Sequence, residues 1–309
     1  MIYKFRSILF LVLVILLVQN CKKIDIIDPI GFETVVEADS IIFAIIGDYG
    51  KSGDAEKAVA DMVKSWNPDF IITLGDNNYV EGKFSTIKEN ITKYYGDYIY
   101  NYDAPCEYQC NGFAFEEGVN RFFPTPGNHD GNNRNGIAPY LNYFTLPGQE
   151  KYYKFIWGPV TFYSIDSESG SFGWQEEWLY DELAKTYTVF NIVYFHNPPW
   201  NPAAHNSNET MQWDFYQHDV DFVLTGHDHV YSRIEKLDEQ GMYYIINGLG
   251  GSSLYSCNPD KLPSDLFDVF CYDDNYGAIK ATATNYRLQL MFYAISDIDN
   301  PIDTISIYK

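Results

Sequence analysis

Five short motifs, each placed directly after an apolar run, constrain this chain more than any other feature of its sequence. They are Gly47-Asp48-Tyr49-Gly50, Gly75-Asp76-Asn77-Asn78-Tyr79, Gly127-Asn128-His129-Asp130, Val193-Tyr194-Phe195-His196 and Gly226-His227-Asp228-His229. Loops of this kind follow buried strands, and parallel strands carry such loops to one edge of a sheet. Asp, Asn, Tyr and His offer oxygen and nitrogen ligands that suit iron, manganese or zinc. The sequence therefore predicts a site for two metal ions at one edge of a parallel sheet.

The apolar patterns predict strands and helices in alternation, followed by a strand-rich C-terminal part. Ile41–Ile46 is a continuous apolar run, typical of a strand that is buried on both faces. Asp54–Trp66 has helical spacing, with Ser52 or Asp54 as the expected N-cap. Further helices are predicted near Trp174–Lys185 and Glu209–His218. We expect an α/β (α+β) fold: a single-domain, four-layer αββα sandwich of two mixed β-sheets flanked by helices.

The N-terminal segment predicts export. Lys4 and Arg6 precede an unbroken apolar run over residues 8–18, and Cys21 follows it. This is the layout of a secretory signal, and the run is shorter than the roughly 20 apolar residues of a transmembrane helix. Cys21 resembles the lipidated cysteine of a bacterial lipoprotein, although Val18-Gln19-Asn20 departs from the usual small-residue pattern. A plain secreted protein and an uncleaved anchor are the alternatives.

This pattern divides the chain into three segments. Residues 1–20 would be a lipoprotein-type signal peptide, with Cys21 as the modified residue. Residues 21–39 would be a tether, and residues 40–309 would be one domain. The expected location is the outer membrane, the cell surface or the periplasm, with secretion if Cys21 is not lipidated.

The cysteines and the charge restrict the compartment and the partners. Four cysteines follow Cys21, and an even number in an exported chain favours disulfides. Of three connectivities, we predict Cys106 with Cys110 and Cys257 with Cys271; a zinc site at Cys106 and Cys110 is the alternative. The 42 acidic residues outnumber the 21 basic ones, which disfavours nucleic acids and anionic membranes. We expect no nucleic-acid binding, and membrane attachment only through a lipid at Cys21.

Together the five motifs resemble those of the calcineurin-like metallophosphoesterase superfamily. Within it they are similar to purple acid phosphatases of the small, tartrate-resistant-like type. Most of the superfamily begins with Asp-x-His, but here Gly50 stands two positions after Asp48. Tyr79 stands where purple acid phosphatases place a tyrosinate ligand. The resemblance covers about residues 41–251.

The resemblance implies a binuclear centre. It assigns Asp48, Tyr79 and His229 to Fe(III), assigns Asn128, His196 and His227 to a divalent iron, zinc or manganese ion, and makes Asp76 the bridge. His227 and His229 lie two residues apart, so an extended segment would project both to one side, with Asp228 turned away. The resemblance also implies that His129 and His205 are catalytic residues.

The implied activity is the hydrolysis of small phosphate monoesters at acid pH. A metal-bound hydroxide would attack phosphorus in line, and His129 or His205 would donate a proton to the leaving alkoxide. A phosphodiesterase or nucleotidase on the same scaffold is the first alternative, and Tyr79 favours the monoesterase over it. A non-catalytic surface lipoprotein is the second alternative, which the complete set of ligands disfavours.

Overall fold

The computed structural model describes residues 24–27, 33–100, 119–170 and 172–309, and its two β-sheets face each other. The described strands are β1 (Ile24–Ile27), β2 (Glu33–Val36), β3 (Ser40–Ile46), β4 (Phe70–Thr73), β5 (Phe122–Pro124), β6 (Tyr153–Trp157), β7 (Val160–Ser164), β8 (Phe190–Tyr194), β9 (Phe222–Thr225), β10 (Tyr231–Lys236), β11 (Tyr243–Asn247), β12 (Phe267–Tyr272), β13 (Gly277–Thr284), β14 (Arg287–Ala294) and β15 (Asp303–Tyr308). The described α-helices are α1 (Asp54–Ser65), α2 (Lys93–Tyr95), α3 (Ala138–Tyr143) and α4 (Phe172–Leu183). Within these ranges, no helix has both the length and the apolar character needed to cross a bilayer.

Both sheets mix parallel and antiparallel strands. One sheet has nine strands in the order β1-β2-β6-β7-β8-β9-β11-β10-β12, and the other has six in the order β15-β14-β13-β3-β4-β5. Strands β3, β4 and β5 are parallel to one another in the smaller sheet. Strands β7, β8, β9 and β11 are parallel in the larger sheet. The prediction of two mixed sheets is confirmed, and each sheet contributes a group of parallel strands.

Aromatic side chains fill the space between the sheets. Phe123 of β5 stacks on Phe155 of β6 with a centroid distance of 4.0 Å. Tyr231 of β10 stacks on Phe292 of β14 with a centroid distance of 4.1 Å. All four side chains are buried, and burial of a large apolar side chain contributes about 1.5–3 kcal/mol. This aromatic layer holds the two sheets together.

The central strands of the larger sheet are buried on both faces. In β8, Ile192 belongs to the core between the sheets, whereas its neighbour Val193 packs on the outer face with Leu179 and Leu183 of α4. Successive strand residues point to opposite faces, so burial on both sides favours a run that is mostly apolar. Helix α1 contacts β13 of the smaller sheet. The helices therefore lie outside the paired sheets, as predicted.

The predicted helix over Glu209–His218 is wrong. The structure has two short 3₁₀ turns there, Glu209–Met211 and Tyr216–His218. Met211, Trp213 and Phe215 are all buried in the same apolar cluster. Residues spaced by two cannot share one face of an α-helix, so burial of these side chains prevents a continuous helix.

Two further predictions need correction. Neither Ser52 nor Asp54 caps α1; the N-cap is Gly53, without a side-chain cap, and the Ser52 hydroxyl instead lies 2.9 Å from the Tyr94 hydroxyl. The predicted tether over residues 21–39 contains β1 and β2, and β2 pairs in parallel with β6. Strand pairing thus places β1 and β2 in the larger sheet. The predicted signal peptide, Cys21, Cys106 and Cys110 lie outside the described residues.

Candidate metal centre

The first set of predicted ligands forms a compact triangle of atoms. Asp48 follows β3, Tyr79 follows β4, and His229 follows β9. The Tyr79 hydroxyl lies 3.0 Å from Asp48 Oδ1 and 3.2 Å from His229 Nε2. His229 Nε2 lies 3.4 Å from Asp48 Oδ1. We call these three atoms the first triangle.

The second set forms a similar triangle. Asn128 follows β5, His196 follows β8, and His227 follows β9. Asn128 Oδ1 lies 3.0 Å from His196 Nε2 and 3.1 Å from His227 Nδ1. The two histidine nitrogens are 3.2 Å apart. We call these three atoms the second triangle.

Asp76 lies between the two triangles. Its Oδ1 is 3.5 Å from His196 Nε2 of the second triangle, and the charge of its carboxylate helps to raise the pKa of Tyr79 of the first. Ligand atoms of Asp48, Asp76 and His196 lie within 4.8 Å of one another, and all three residues are buried. One carboxylate thus lies beside both triangles.

The ligand atoms have the spacing that metal ions require. Within each triangle the atoms are 3.0 to 3.4 Å apart. Metal–ligand bonds of about 2.0–2.2 Å place neighbouring ligand atoms about 3.0–3.5 Å apart in octahedral or tetrahedral coordination. Each triangle therefore fits one ion.

The triangles combine ligands from both sheets, which corrects the expectation of one edge of one sheet. Asp48, Asp76 and Asn128 follow parallel strands of the smaller sheet, whereas His196 and His227 follow parallel strands of the larger one. The two sheets face each other, so the carboxyl ends of both parallel groups reach the same place. The site lies across the junction of the sheets.

Left-handed backbone conformations shape the ligand loops. Asp48, Asp76 and His227 have φ angles of 54°, 53° and 69°, and each such residue costs about 1–3 kcal/mol. The His227 amide donates a 2.9 Å hydrogen bond to Asp48 Oδ2, which holds two of these loops together. The segment from His227 to His229 is therefore turned and not extended, and this turn sends the two histidines to different triangles.

The structure explains why Gly50 replaces the histidine of the Asp-x-His pattern. A Cβ atom at Gly50 would lie 1.9 Å from the Asn77 carbonyl oxygen, so no side chain fits there. The Tyr79 amide donates a 2.7 Å hydrogen bond to the Gly50 carbonyl. The close approach that excludes a side chain at Gly50 thus helps to place Tyr79 in the first triangle.

Burial and charge act against each other at the two carboxylates. Burial favours the neutral form of Asp48, but the hydrogen bond to His229 and the histidine charges outweigh it and lower the pKa of Asp48 to about 2. At Asp76, burial raises the pKa more than the charge of His196 lowers it, and the charge of Asp48 adds to the increase. The two acids are therefore inequivalent before any cation binds.

Burial and neighbouring charges also shift the pKa values of other predicted ligands. Burial, followed by the charges of Asp48 and Asp76, raises the pKa of Tyr79 well above its usual value. Burial and the charge of His196 lower the pKa of His227 to about 3. Burial disfavours charged His196, but Asp76 and Asp48 outweigh it and raise the pKa of His196 to about 9. Bound cations would stabilise the charged forms of the carboxylates and the phenolate together.

Two ligand histidines are oriented through their second ring nitrogen. His196 Nδ1 lies 2.8 Å from the Leu74 carbonyl oxygen. His229 Nδ1 lies 2.6 Å from the Ser253 hydroxyl, and its ring stacks on Tyr255 at 4.2 Å. Such contacts fix the orientation of each ring and leave Nε2 in its triangle. Sequence reasoning missed Ser253 and Tyr255, because they belong to none of the motifs.

A second missed contact joins two motifs. Asp130 Oδ2 accepts hydrogen bonds of 2.9 Å from Asn77 Nδ2 and 2.8 Å from the Gly127 amide. Burial, reinforced by the charge of Asp76, raises the pKa of Asp130 to about 7. Asn77 and Asp130 both stand inside the motifs, and these positions were the signal from which the contact could have been predicted. Their role is to hold the Asp76 loop against the Asn128 loop.

His129 lies beside the first triangle. Its ring centroid is 4.5 Å from that of Tyr79, and its Nδ1 lies 2.6 Å from the Val80 carbonyl oxygen. Its Nε2 is 3.9 Å from Asp76 Oδ2, and the side chain is 28% exposed. The ring is therefore held by Nδ1 while Nε2 remains at the open side of the site.

His205 lies beside the second triangle. Its ring centroid is 4.2 Å from that of His227, and its Nδ1 lies 3.1 Å from Oδ1 of buried Asp228. Asp228 also accepts a hydrogen bond of 3.1 Å from the Ala204 amide. Asp228 thus faces away from the ligand atoms, as predicted, and holds the loop that carries His205.

The fold and this arrangement define a class of protein. A sequence model of the family described as "Calcineurin-like phosphoesterase" matches residues 41–231, and the chain belongs to this family. Purple acid phosphatase 23 of Arabidopsis thaliana is 27% identical over 278 residues, which cover 78% of this chain and 58% of that protein. The similarity to purple acid phosphatases predicted from the motifs is confirmed.

Solved structures with the same fold include another protein of this type. Purple acid phosphatase PPD1 from yellow lupin (Lupinus luteus) seeds matches with a TM-score of 0.68 and 17% identity, over 88% of this chain and 54% of that chain. GAP50, described as the anchor in the inner membrane complex of Plasmodium, matches with a TM-score of 0.65 and 17% identity, over 88% of this chain and 89% of that chain. At these identities the match is one of fold. This chain spans little more than half the length of the two plant proteins.

Proposed function

We propose that this chain is a binuclear metal-dependent acid phosphatase that hydrolyses small phosphate monoesters. The observation that carries the proposal is the pair of ligand triangles joined by Asp76. Membership of the calcineurin-like phosphoesterase family supports a phosphoesterase activity, and the similarity to purple acid phosphatase 23 supports the phosphatase assignment.

The ligand chemistry supports two different metals. Asp48, Tyr79 and His229 would hold Fe(III), because a phenolate favours a hard ion of high charge. Asn128, His196 and His227 would hold a divalent iron, zinc or manganese ion, and Asp76 would contact both. When bound, two such ions lower the pKa of water and neutralise charge on the phosphate.

The chain supplies the proton donors at the rim of the site. His129 and His205 each have one ring nitrogen engaged, by the Val80 carbonyl and the Asp228 carboxylate respectively. As imidazolium, either ring would present Nε2–H to the oxygen of the leaving alcohol.

The decisive experiment compares an aryl phosphate monoester with the matching diester at acid pH, using purified protein loaded with iron and zinc. A strong preference for the monoester would establish the acid phosphatase. A preference for the diester would favour the phosphodiesterase alternative. No turnover of either ester by metal-loaded protein would favour a non-catalytic lipoprotein.

The Tyr79→Phe variant tests the Fe(III) assignment. We expect the iron-loaded protein to have a visible charge-transfer band from the tyrosinate, and the variant to lose that band. Tyr286→Phe is the matched control, because Tyr286 is exposed. An unchanged band in Tyr79→Phe would show that another ligand holds the iron.

We also propose that the protein is exported and attached to a membrane through lipidated Cys21. The disulfide between Cys257 and Cys271 supports an oxidising compartment. Labelling of cells with a fatty-acid analogue should modify the protein but not its Cys21→Ser variant. An unlabelled protein in the culture medium would favour simple secretion.

A further inference from the structure

A cavity of about 480 Å³ lies between the two segments that follow Tyr79 and His129. One wall is formed by Glu81, Lys83, Phe84 and Ser85, and the other by residues 133–135. Asn133 Nδ2 joins the walls through hydrogen bonds of 2.7 Å to the Glu81 carbonyl and 3.2 Å to the Gly82 carbonyl. The contact of His129 with the Val80 carbonyl joins the same two segments nearer to the ligand triangles. The two walls therefore begin two residues after Tyr79 and four residues after His129, both of which belong to the candidate site.

The cavity carries one uncompensated positive charge. Lys83 forms an ion pair with Glu81, so these two charges offset each other. Arg134 is exposed and forms no ion pair with another residue in the described part of the chain. A guanidinium group binds phosphate oxygens in a bidentate manner. In a chain with 42 acidic and 21 basic residues, an arginine without an ion pair among the described residues offers an anion a free guanidinium group.

We propose that this cavity binds the alcohol part of the substrate and that Arg134 binds a second phosphate group on that alcohol. The preferred substrate class is then a small bisphosphorylated alcohol, with one phosphate at the metals and the other at Arg134. This inference rests on the proposed phosphatase function.

The test uses two substrates that differ only in the second phosphate, propyl phosphate and propane-1,3-diol bisphosphate. We expect kcat/KM to be about 10-fold or more higher for the bisphosphate, because one charge-assisted hydrogen bond raises affinity by about this factor. Arg134→Gln should remove this preference. Lys88→Gln removes the same charge from an exposed position outside the cavity and should retain it. Equal preference in Arg134→Gln and the wild type would overturn the proposal.

Binding separates this inference from the proposed function. Calorimetry with propane-1,3-bisphosphonate and propylphosphonate measures the same preference without turnover. Tighter bisphosphonate binding that is lost in Arg134→Gln supports the cavity even if no ester is hydrolysed. Turnover without any preference between the two esters rejects the cavity and leaves the phosphatase standing.

A second, independent observation concerns residues 252–262, which we call the disulfide-linked segment. Cys257 within it is bonded to Cys271 of β12, and the Cys257 amide donates a 2.8 Å hydrogen bond to Asp273 Oδ2. The predicted pairing of Cys257 with Cys271 is thus confirmed. These contacts attach the middle of the segment to the edge of the larger sheet.

One part of the disulfide-linked segment contacts a metal-ligand histidine. Ser253 and Tyr255 hold the His229 ring by the hydrogen bond and the stacking contact described above. In addition, the Tyr255 amide donates a 3.0 Å hydrogen bond to the His229 carbonyl. The ring and the backbone of His229 are therefore both fixed by this segment.

The other part contacts the loop that carries His205. The Asn258 amide donates a 2.6 Å hydrogen bond to the Pro202 carbonyl. Lys261 Nζ donates a 2.7 Å hydrogen bond to the Ala203 carbonyl and a further one to the His205 carbonyl. The segment thus touches the backbone on both sides of Ala204.

We infer that the disulfide-linked segment positions a metal-ligand histidine and the His205 loop at the same time. Ser253, Tyr255, Asn258 and Lys261 are positioning residues, and the Cys257–Cys271 bond keeps the segment against them. Loss of the bond should loosen both contacts while the sheets remain folded.

Hydrogen exchange and metal retention in the Cys257→Ala/Cys271→Ala variant test this inference. We expect the Tyr255 and Asn258 amides to exchange about 10-fold faster or more, with β13 amides unchanged, and metal affinity to fall about 10- to 100-fold. Unchanged exchange and affinity would overturn the inference. If β13 exchange also rises, Ser253→Ala decides, because it keeps the disulfide: about 10-fold weaker metal binding supports the inference, and unchanged binding rejects it.

Discussion

Two groups of buried side chains lie near the end of β3. The first group is Asp48 and Asp76, the second is Glu56 with Tyr49 and Tyr95, and the acids of the two groups differ in their partners. Asp48 and Asp76 are surrounded by histidines and by the Tyr79 hydroxyl. Glu56 of α1 is equally buried, but neither of its carboxylate oxygens has a hydrogen-bond partner among the described residues. The hydroxyls of Tyr49 and Tyr95, whose rings are 5.2 Å apart, are also without partners there.

The difference shows what distinguishes the candidate metal centre from a buried acid. Burial raises the pKa of Glu56 to about 10, and the charge of Lys93 opposes this only in part. Glu56 is therefore neutral at physiological pH. The histidines around Asp48 keep that carboxylate charged despite complete burial. A buried acid indicates a cation site only when nitrogen and oxygen ligands surround it at bonding distances.

The largest expected effect comes from changing the acid between the triangles. Asp76→Asn keeps the shape of the side chain but removes the charge that would join two cations. We expect kcat/KM for an aryl phosphate to fall about 10³-fold, with loss of one metal ion by elemental analysis. Asp299→Asn, at an exposed position, is the control. Full activity in Asp76→Asn would show that Asp76 is not a ligand.

Metal removal should affect stability through the first group of acids only. A ligand present at about 100 times its dissociation constant stabilises the folded state by about 2.7 kcal/mol. We expect chelation to lower the free energy of unfolding by about this amount in the wild type and equally in Glu56→Gln. Urea unfolding with and without chelator measures the difference. A chelator effect that depends on Glu56 would place a cation in the second group.

Glu56→Gln should stabilise the protein at neutral pH. The folded-state pKa of Glu56, about 10, exceeds its ordinary value of 4.5, so between these values the folded state retains a proton that the unfolded chain releases. Unfolding therefore becomes more favourable as pH rises through this window. We expect a gain of about 1–3 kcal/mol at pH 7 that disappears below about pH 4.

Urea unfolding at several pH values measures this gain, with Glu177→Gln on the surface of α4 as the control. A destabilised Glu56→Gln at pH 7 would show that the charged form of Glu56 has an unrecognised partner.

The smallest expected effect comes from Tyr95→Phe. This change removes a buried hydroxyl that has no partner among the described residues, so it deletes a desolvated group without breaking a bond. We expect the free energy of unfolding to change by less than about 1 kcal/mol, in the stabilising direction. Thermal unfolding beside exposed Tyr286→Phe checks this. A loss above about 2 kcal/mol would show that the Tyr95 hydroxyl is bonded.

Much of the fold could be predicted because local pattern and burial agree. The continuous run at Ile41–Ile46 lies within β3, and the spacing after Asp54 predicts α1 correctly. The pattern failed at Glu209–His218, where tertiary burial of alternate residues overrides helical spacing. It also missed β12, a strand at the edge of the larger sheet whose residues are mostly only partly buried.

The candidate site, like the fold, could be predicted from the sequence only in part. All seven predicted ligands converge, because each stands within a few residues after the end of an apolar strand. Ser253 and Tyr255 could not be found, since their contacts with His229 cross 24 and 26 residues of chain and follow no motif. The assignment of ligands to two different sheets was also out of reach, because it depends on how the sheets pack.

That packing has a consequence for the order of assembly during folding. The first triangle joins residues 48 and 229, and the second joins residues 128 and 227, so neither can close before both sheets have formed and docked. Such long-range closure is slow and late. On refolding, the chain should regain its strands before it gains affinity for metal, and the appearance of tight metal binding would report the completed docking of one sheet on the other.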